Sequence, residues 1–326
     1  EGMWEKLIEG VCEDGFGYIL KGRINEFGYQ SLTTPLTLKA LNLAQGMFGK
    51  LHFGDTMESA IKYCNDGFMV RPRLHAFWMA PEQAGRMARI SVINKLEAAK
   101  KIYLDKNGRI PKIGDTLKNP DMGKLYERIS NEGIGIFYEG DIADTIEKDM
   151  KINGGLLTKE DLRNCSPSVG KPLRGTYRGF EIVTNQLPGG GLMIIEMLNI
   201  LEQFDLKDIG HNSSRYISII AEVMKIATID KDTLMGDPEF ISVPIERLSS
   251  KSYAKEMATK IKNGEKANIN REISGLPESK DTTHLVVADN EGNVVNLTHS
   301  LGSSSGVVTE GLGFMYNNCM MVFDPR

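Results

Sequence analysis

A mixed α/β fold is predicted from three features: helical periodicity through roughly the first two-thirds of the chain, short β-branched runs after it, and a hairpin near the end. Strands following strands, with helices packed outside, predict an α/β/β/α sandwich with a helical layer in the N-terminal two-thirds.

The helical part is read from its caps. Thr34 then Pro35 make an N-cap and first-turn pair leading into a helix over 36–47 with Leu38, Leu41 and Leu43. Asp55 or Thr56 opens a second helix that ends near Gly67. Residues 90–104 read as one Lys-rich amphipathic helix, and 142–150 as another that closes at Gly154-Gly155. Strands begin at 171–185, where Tyr177-Arg178-Gly179 turns the chain before Phe180. Gly189-Gly190-Gly191 then leads into a helix over 192–204; with no Gly-Lys-Ser/Thr after it, a strand-to-helix connection is the better reading than a phosphate loop. Helices follow over 215–230, with Glu222, Lys225 and Asp230 expected along its exposed side, and over 249–261. Residues 262–280 are polar and aperiodic, and read as a mobile tail.

The tail leads to Asp281-Thr282-Thr283-His284 and then to two β-branched runs, 285–289 and 294–298, joined by Asn290-Glu291-Gly292-Asn293. Pairing Ala288 with Val295 and counting outward sets Thr282 opposite Leu301, with Ser300 and Gly302 on either side. Ser303-Ser304-Ser305-Gly306 follow. A Thr hydroxyl is hardly ionised at neutral pH and needs an adjacent base; a free α-amine on the same residue is one solution, titrating near pH ~8. Thr282 is internal, so that amine exists only if the Asp281–Thr282 bond is cut. Thr-Thr before a strand is also ordinary β-propensity, and the wider pattern has to decide.

Composition excludes more than it assigns. Among 326 residues, 41% are apolar and 25% charged, as in ordinary globular α/β proteins. A net charge of −4 argues against a nucleic-acid partner. There is no run of about eighteen apolar residues, so no membrane-spanning helix is read. Cys12, Cys64, Cys165 and Cys319 have no C-x-x-C spacing and the five histidines no ligand spacing, so neither a metal nor any other cofactor is expected. The compartment, cytoplasmic or periplasmic/secreted, stays open.

From Thr282 onward the sequence resembles the gamma-glutamyltransferase family of N-terminal-nucleophile hydrolases. The matching residues are Thr282-Thr283-His284, Asp289, Gly292-Asn293, Gly306, Gly313 and Asn317-Asn318. Upstream, Asn153-Gly154-Gly155-Leu156-Leu157-Thr158-Lys159-Glu160-Asp161-Leu162 is similar to the family's large-subunit motif. So are Pro172-Leu173-Arg174-Gly175-Thr176-Tyr177-Arg178-Gly179 and Met235-Gly236-Asp237-Pro238, and the likeness runs from about Gly28 to Asp324 in the family's order.

The resemblance implies an autoprocessing amidohydrolase or acyltransferase that cuts an amide, γ-glutamyl-like, bond through an acyl-enzyme. Asp281 and Thr282 would flank the self-cleavage, Thr282 would be the nucleophile, and Ser300 would take the place of a family Thr that contacts the nucleophile's amine. Thr283, Gly302, Ser303, Ser304 and Asn318 would line the substrate. Gly302 falls where the family usually has Asn, so a side-chain contact is lost there, for which Ser303, Ser304 or Ser305 are candidate replacements. Cys319 and Val322 stand where typical members grip the substrate's α-amino group. An ammonium would find no partner at those positions, and an acyl group other than γ-glutamyl is expected.

The expected partners are a small-molecule acyl donor and water or an amino-acid acceptor. Residues 1–281 would form the large-subunit portion, with its tail at about 262–281, and 282–326 would start the small subunit of the same precursor. The chain opens on Glu1-Gly2-Met3 and stops at Asp324-Pro325-Arg326, and family members carry a substrate-binding Arg before that stretch and an oxyanion hole after it. An internal fragment, unable to turn over alone, is therefore expected. The competing reading is an uncleaved, non-catalytic relative that binds a small amino-acid-like ligand.

Overall fold

The computed structural model describes residues 2–12, 17–82, 86–269 and 282–326. The chain divides into two compact units, Glu1–Pro167 with Glu272–Arg326, and Ser168–Arg271. Its strands form four separate antiparallel pairs: β1 (Ile8–Val11) with β2 (Tyr18–Leu20), β3 (Phe68–Met69) with β4 (Thr116–Leu117), β5 (Leu173–Tyr177) with β6 (Phe180–Thr184), and β7 (Thr282–Ala288) with β8 (Val294–Ser300). Asp281 and most of the expected tail lie outside the described residues.

The first unit is built on a helical core. Tyr138, Ile142, Ile146, Met150 and Leu162 are buried together with Leu125 and Ile129. Val307, Leu312 and Tyr316, from the segment after β8, join the same cluster, so the two ends of the sequence share one core. The motif around 153–162 has a structural explanation: Thr158 and Asp161 form a reciprocal capping box that starts helix Lys159–Asn164 and aims the fully buried Leu162 inward. Lys39 closes that helix from its other end. Its ammonium donates to the carbonyls of Leu162, Arg163 and Cys165 at 2.8, 2.9 and 2.7 Å, where the helix dipole favours a cation.

At the far side of this core, Asn119 caps helix Pro120–Glu132 and donates through Nδ2 to the carbonyl of Gly313 at 2.7 Å. A β-carbon on Gly313 would lie 2.3 Å from the Met122 backbone nitrogen, and its φ of +74° is in the left-handed region. Glycine is required there because the chain lies directly on the helix N-terminus.

Two expectations about the helices change. The single helix over 90–104 is two, Arg89–Ile93 and Glu97–Tyr103. The β-branched Val92 and Ile93 favour a helix weakly, and Asn94 caps the first segment while both turn into the core. In the second unit, helix Ser214–Leu234 is flanked on more than one side, and Glu222 and Asp230 are buried rather than exposed. Glu222 accepts from the Lys225 ammonium at 2.6 Å and from the Ala267 backbone N–H at 2.9 Å. Asp230 accepts from the Tyr253 hydroxyl at 2.6 Å. The glycines at 189–191 make the strand-to-helix connection expected of them, into helix Gly191–Leu201.

That helix also carries Glu196, whose side chain is completely buried and whose two carboxyl oxygens meet no donor. Desolvation, with Asp230 close by, pushes its pKa far above the ordinary carboxylate range, so it is held neutral at pH 7. The folded state therefore keeps a proton that the unfolded chain releases, and stability falls as pH rises from the ordinary carboxylate pKa toward the raised one. Glu196→Gln is expected to remove that slope. Thermal unfolding should show a Tm that declines by on the order of 5 °C across neutral pH in the parent and stays flatter in the variant.

Candidate active site

The hairpin turn sets the register of the site. The Asp289 carboxylate accepts from the backbone N–H groups of Glu291 and Asn293, both at 2.9 Å, and from the Asn293 amide at 2.7 Å. Asp289 N–H donates to the Asn293 carbonyl at 3.0 Å, which closes the loop on residues 290–292 with Gly292 at φ +86°. These bonds, the Asn293 amide foremost, hold the Asp289 carboxyl below its usual range. Ala288 therefore pairs with Val294 rather than Val295, and Thr282 pairs with Ser300 rather than Leu301. The one-residue shift comes from the tighter turn.

In this register the Thr282 hydroxyl donates to Ser300 Oγ at 3.3 Å, and Ser300 Oγ also accepts from the Gly302 N–H at 3.1 Å. The next pair on that face joins His284 Nδ1 and Thr298 Oγ1 at 2.8 Å. Thr283 pairs with His299, whose Nε2 is 3.1 Å from Thr37 Oγ1.

The loop after β8 is held by one side chain. Asn318 is fully buried, donates through Nδ2 to the Glu26 carbonyl and to Ser303 Oγ, both at 2.8 Å, and accepts at Oδ1 from the Ser303 N–H at 2.7 Å. Its amide is thus committed to protein groups. Ser303 is buried with it, and Ser305 is buried with its hydroxyl on the Tyr316 carbonyl at 2.9 Å. Of the three serines only Ser304 is half-buried at the cleft, with a φ of +79° that is uncommon outside glycine.

Thr282, Thr283, Gly302, Ser303 and Ser304 line a cleft of about 740 Å³. Its other wall comes from the region of β3 and the helix Pro72–Trp78: Arg71, Arg73, Phe77 and Trp78, with Arg89 beyond. No sequence motif marks these residues; an Arg-Pro-Arg stretch some two hundred positions from Thr282 carries no spacing signal. Among the described residues no group of three or more His, Cys, Asp or Glu could hold a metal ion, and no helix is long and apolar enough to cross a membrane.

The family model for gamma-glutamyltranspeptidase matches residues 14–326. The chain belongs to the gamma-glutamyltranspeptidase family. It is 35% identical over 300 residues to the glutathione hydrolase proenzyme of Escherichia coli K12, covering 90% of this chain and 50% of that one. It is 33% identical over 309 residues to the acylase ACY 1 proenzyme of Pseudomonas sp. strain SE83, covering 94% and 54%. The crystal structure of cephalosporin acylase from Bacillus halodurans superposes with a TM-score of 0.77 at 27% identity over 92% of this chain and 54% of that one. The mixed helix-and-sheet fold is thus that of the transpeptidase and acylase structures. The chain spans about half the length of the curated relatives it matches.

Gly302 has a steric reason. Its φ is +64°, and a β-carbon there would lie 2.4 Å from Asn318 Oδ1. Gly302→Asn, which installs the residue that the resemblance implies for this position, is expected to dislodge the Asn318 amide and destabilise the protein by about 1–3 kcal/mol. Chemical denaturation of parent and variant measures this, and an unchanged midpoint would show that the loop accommodates the side chain.

Proposed function

We propose that the protein containing this chain is an autoprocessing Thr-nucleophile amidohydrolase or acyltransferase. The observation that carries the reading is the Thr282 hydroxyl set against Ser300 Oγ at the start of a strand and at the edge of a cleft. The relatives' names support it, since both curated relatives are proenzymes and one is an acylase.

In the maturation step, Thr282 Oγ1 attacks the Asp281 carbonyl carbon, the Asp281–Thr282 amide C–N bond breaks, and the acyl group passes to oxygen as an ester. Water then hydrolyses that ester, leaving Asp281 as a carboxylate and Thr282 with a free α-amine. In turnover that amine takes the proton from Oγ1 as Oγ1 attacks the substrate amide carbon. The proton passes to the leaving amine, and an acyl ester on Thr282 remains for water or an acceptor amine to resolve. Ser300 Oγ, pinned by the Gly302 N–H, positions the Thr282 hydroxyl throughout.

The division at 281/282 into a large-subunit portion and the beginning of a small subunit belongs to the same proposal. Leu285, Val286, Val287, Val294 and Val295 are 42–62% exposed on the hairpin. Apolar residues on both faces suit strands that lie inside a larger sheet, as expected of a longer protein of this family.

Intact mass of the full-length gene product tests the reading. Two fragments meeting between Asp281 and Thr282 are expected, Thr282→Ala should leave a single uncut mass, and Thr282→Ser should still cut. Ser300→Ala should slow cleavage by about tenfold or more, the usual scale for losing one positioned catalytic hydrogen bond. An uncut parent under conditions that allow maturation would reject the nucleophile and favour the ligand-binding relative.

A further inference from the structure

We propose that the substrate of this cleft is an amide that bears a negative charge and an apolar body but no ammonium group, with Arg71 and Arg73 binding the anion. This rests on the reading of Thr282 as the reacting group.

The first observation is the sign of the cleft. Three arginines and two histidines line it, and among the described residues no Asp or Glu does. Arg89 is engaged, donating to the Ser303 carbonyl at 2.7 Å and lying 5.2 Å from the Phe77 ring centre. Arg71 and Arg73 make no ion pair among the described residues and are exposed to the cleft. Two guanidinium groups beside a low-dielectric wall of Phe77 and Trp78 focus a positive potential and offer forked donors to a carboxylate. The volume, about 740 Å³, is that of a small-molecule site.

The second observation is independent of the arginines. The positions at which an ammonium would be held are Cys319, whose thiol is pushed up by burial and stays neutral, and Val322, which is 73% exposed. The next carboxylate along the chain, Asp324, is taken by Arg326 at 2.7 Å. The Asn318 amide is used within the protein. These positions lie outside the cleft lining and offer an ammonium no counter-ion, and among the described residues the cleft itself offers it only like charge.

Matched p-nitroanilides, assayed on the processed full-length protein, separate these terms. A γ-glutamyl donor differs from a glutaryl donor only by its ammonium, and a pentanoyl donor replaces the glutaryl carboxylate with a methyl group. Pentanoyl anilide against its 4-carboxyanilide places the charge on the leaving side instead. The glutaryl donor should exceed the γ-glutamyl and pentanoyl donors in kcat/KM by about tenfold or more, or the 4-carboxyanilide should exceed the anilide by that factor. Indifference to charge on both sides, or a γ-glutamyl donor as good as the glutaryl one, overturns the proposal. Arg71→Gln and Arg73→Gln should each lower the charged-to-neutral preference, through KM more than kcat; an unchanged preference in both removes the arginines from the role.

Binding reads the cleft without the chemistry. By calorimetry on the Thr282→Ala protein, 4-phenylbutyrate should bind at least about tenfold more tightly than 4-phenylbutylammonium. An uncut parent that still shows this preference would sink the nucleophile reading and keep the anionic cleft. A cut, active parent without it would do the reverse.

Discussion

The carboxamide of Asn318 is the constraint on which the candidate site depends. It joins three stretches far apart in sequence: the N-terminal loop at Glu26, the loop after β8 at Ser303, and its own segment near the C-terminal end. Both amide hydrogens and one lone pair of the oxygen are used, and the backbone N–H of Asn318 holds the Leu301 carbonyl at 3.1 Å. Such a group, fully buried, costs about 1–3 kcal/mol for each bond left unmade, so the arrangement is strongly determined. Asn317 repeats the device one residue earlier, bonding the N–H, hydroxyl and carbonyl of Thr33 at 2.9–3.0 Å. Ser300 is thereby anchored close to Thr282 by bonds that do not involve either hydroxyl.

The same constraint explains why residue 302 is glycine. Asn318 Oδ1 occupies the space into which a side chain at 302 would grow, so the glycine follows from how this loop is braced. The hydroxyls of Ser303, which lines the cleft, and of the buried Ser305 are taken up by the bracing, one by Asn318 and the other by the Tyr316 carbonyl. The polar side chains that remain at the reacting end are Thr282, Thr283, Ser300 and Ser304. Ser304 is held with φ +79°, a conformation a non-glycine residue keeps only when its surroundings impose it.

What the sequence made legible was local chemistry. The hairpin, its turn residues and the nearness of Thr282 to residues 300–302 follow from β-branched runs and an Asx-rich turn. The register did not, because the Asp289 carboxylate closes a tighter loop than residue counting assumes. The strand-to-helix turn at 189–191 was likewise readable, since its partners lie a few residues away, whereas the capping box at 158–161 entered only as part of a stretch similar to a family motif. Glu222 and Asp230 were misplaced because their burial is compensated by Lys225, Ala267 and Tyr253, partners that only tertiary packing supplies. Arg71 and Arg73 were invisible for the same reason: nothing within their own stretch tells that the helix beginning at Pro72 faces β7.

The positive lining has a consequence for the nucleophile as well as for the substrate. On the proposed reading, a freed α-amine on Thr282 would sit at the edge of a cleft lined by Arg71, Arg73 and Arg89 and, among the described residues, by no carboxylate. Like charge disfavours the protonated form of an amine and so lowers its pKa from the ordinary value near 8. More of the amine would then be the free base at neutral pH, the form that can accept the Thr282 hydroxyl proton. Under the proposal, the field that would reject an ammonium on the substrate would also favour the free base on the enzyme. A site that bound an α-amino group through carboxylates would pull the other way on its own base. Under the proposal, the arginines at 71 and 73, with Cys319 and Val322 where the resemblance expects a polar or acidic residue and an Asp, would make the two demands agree.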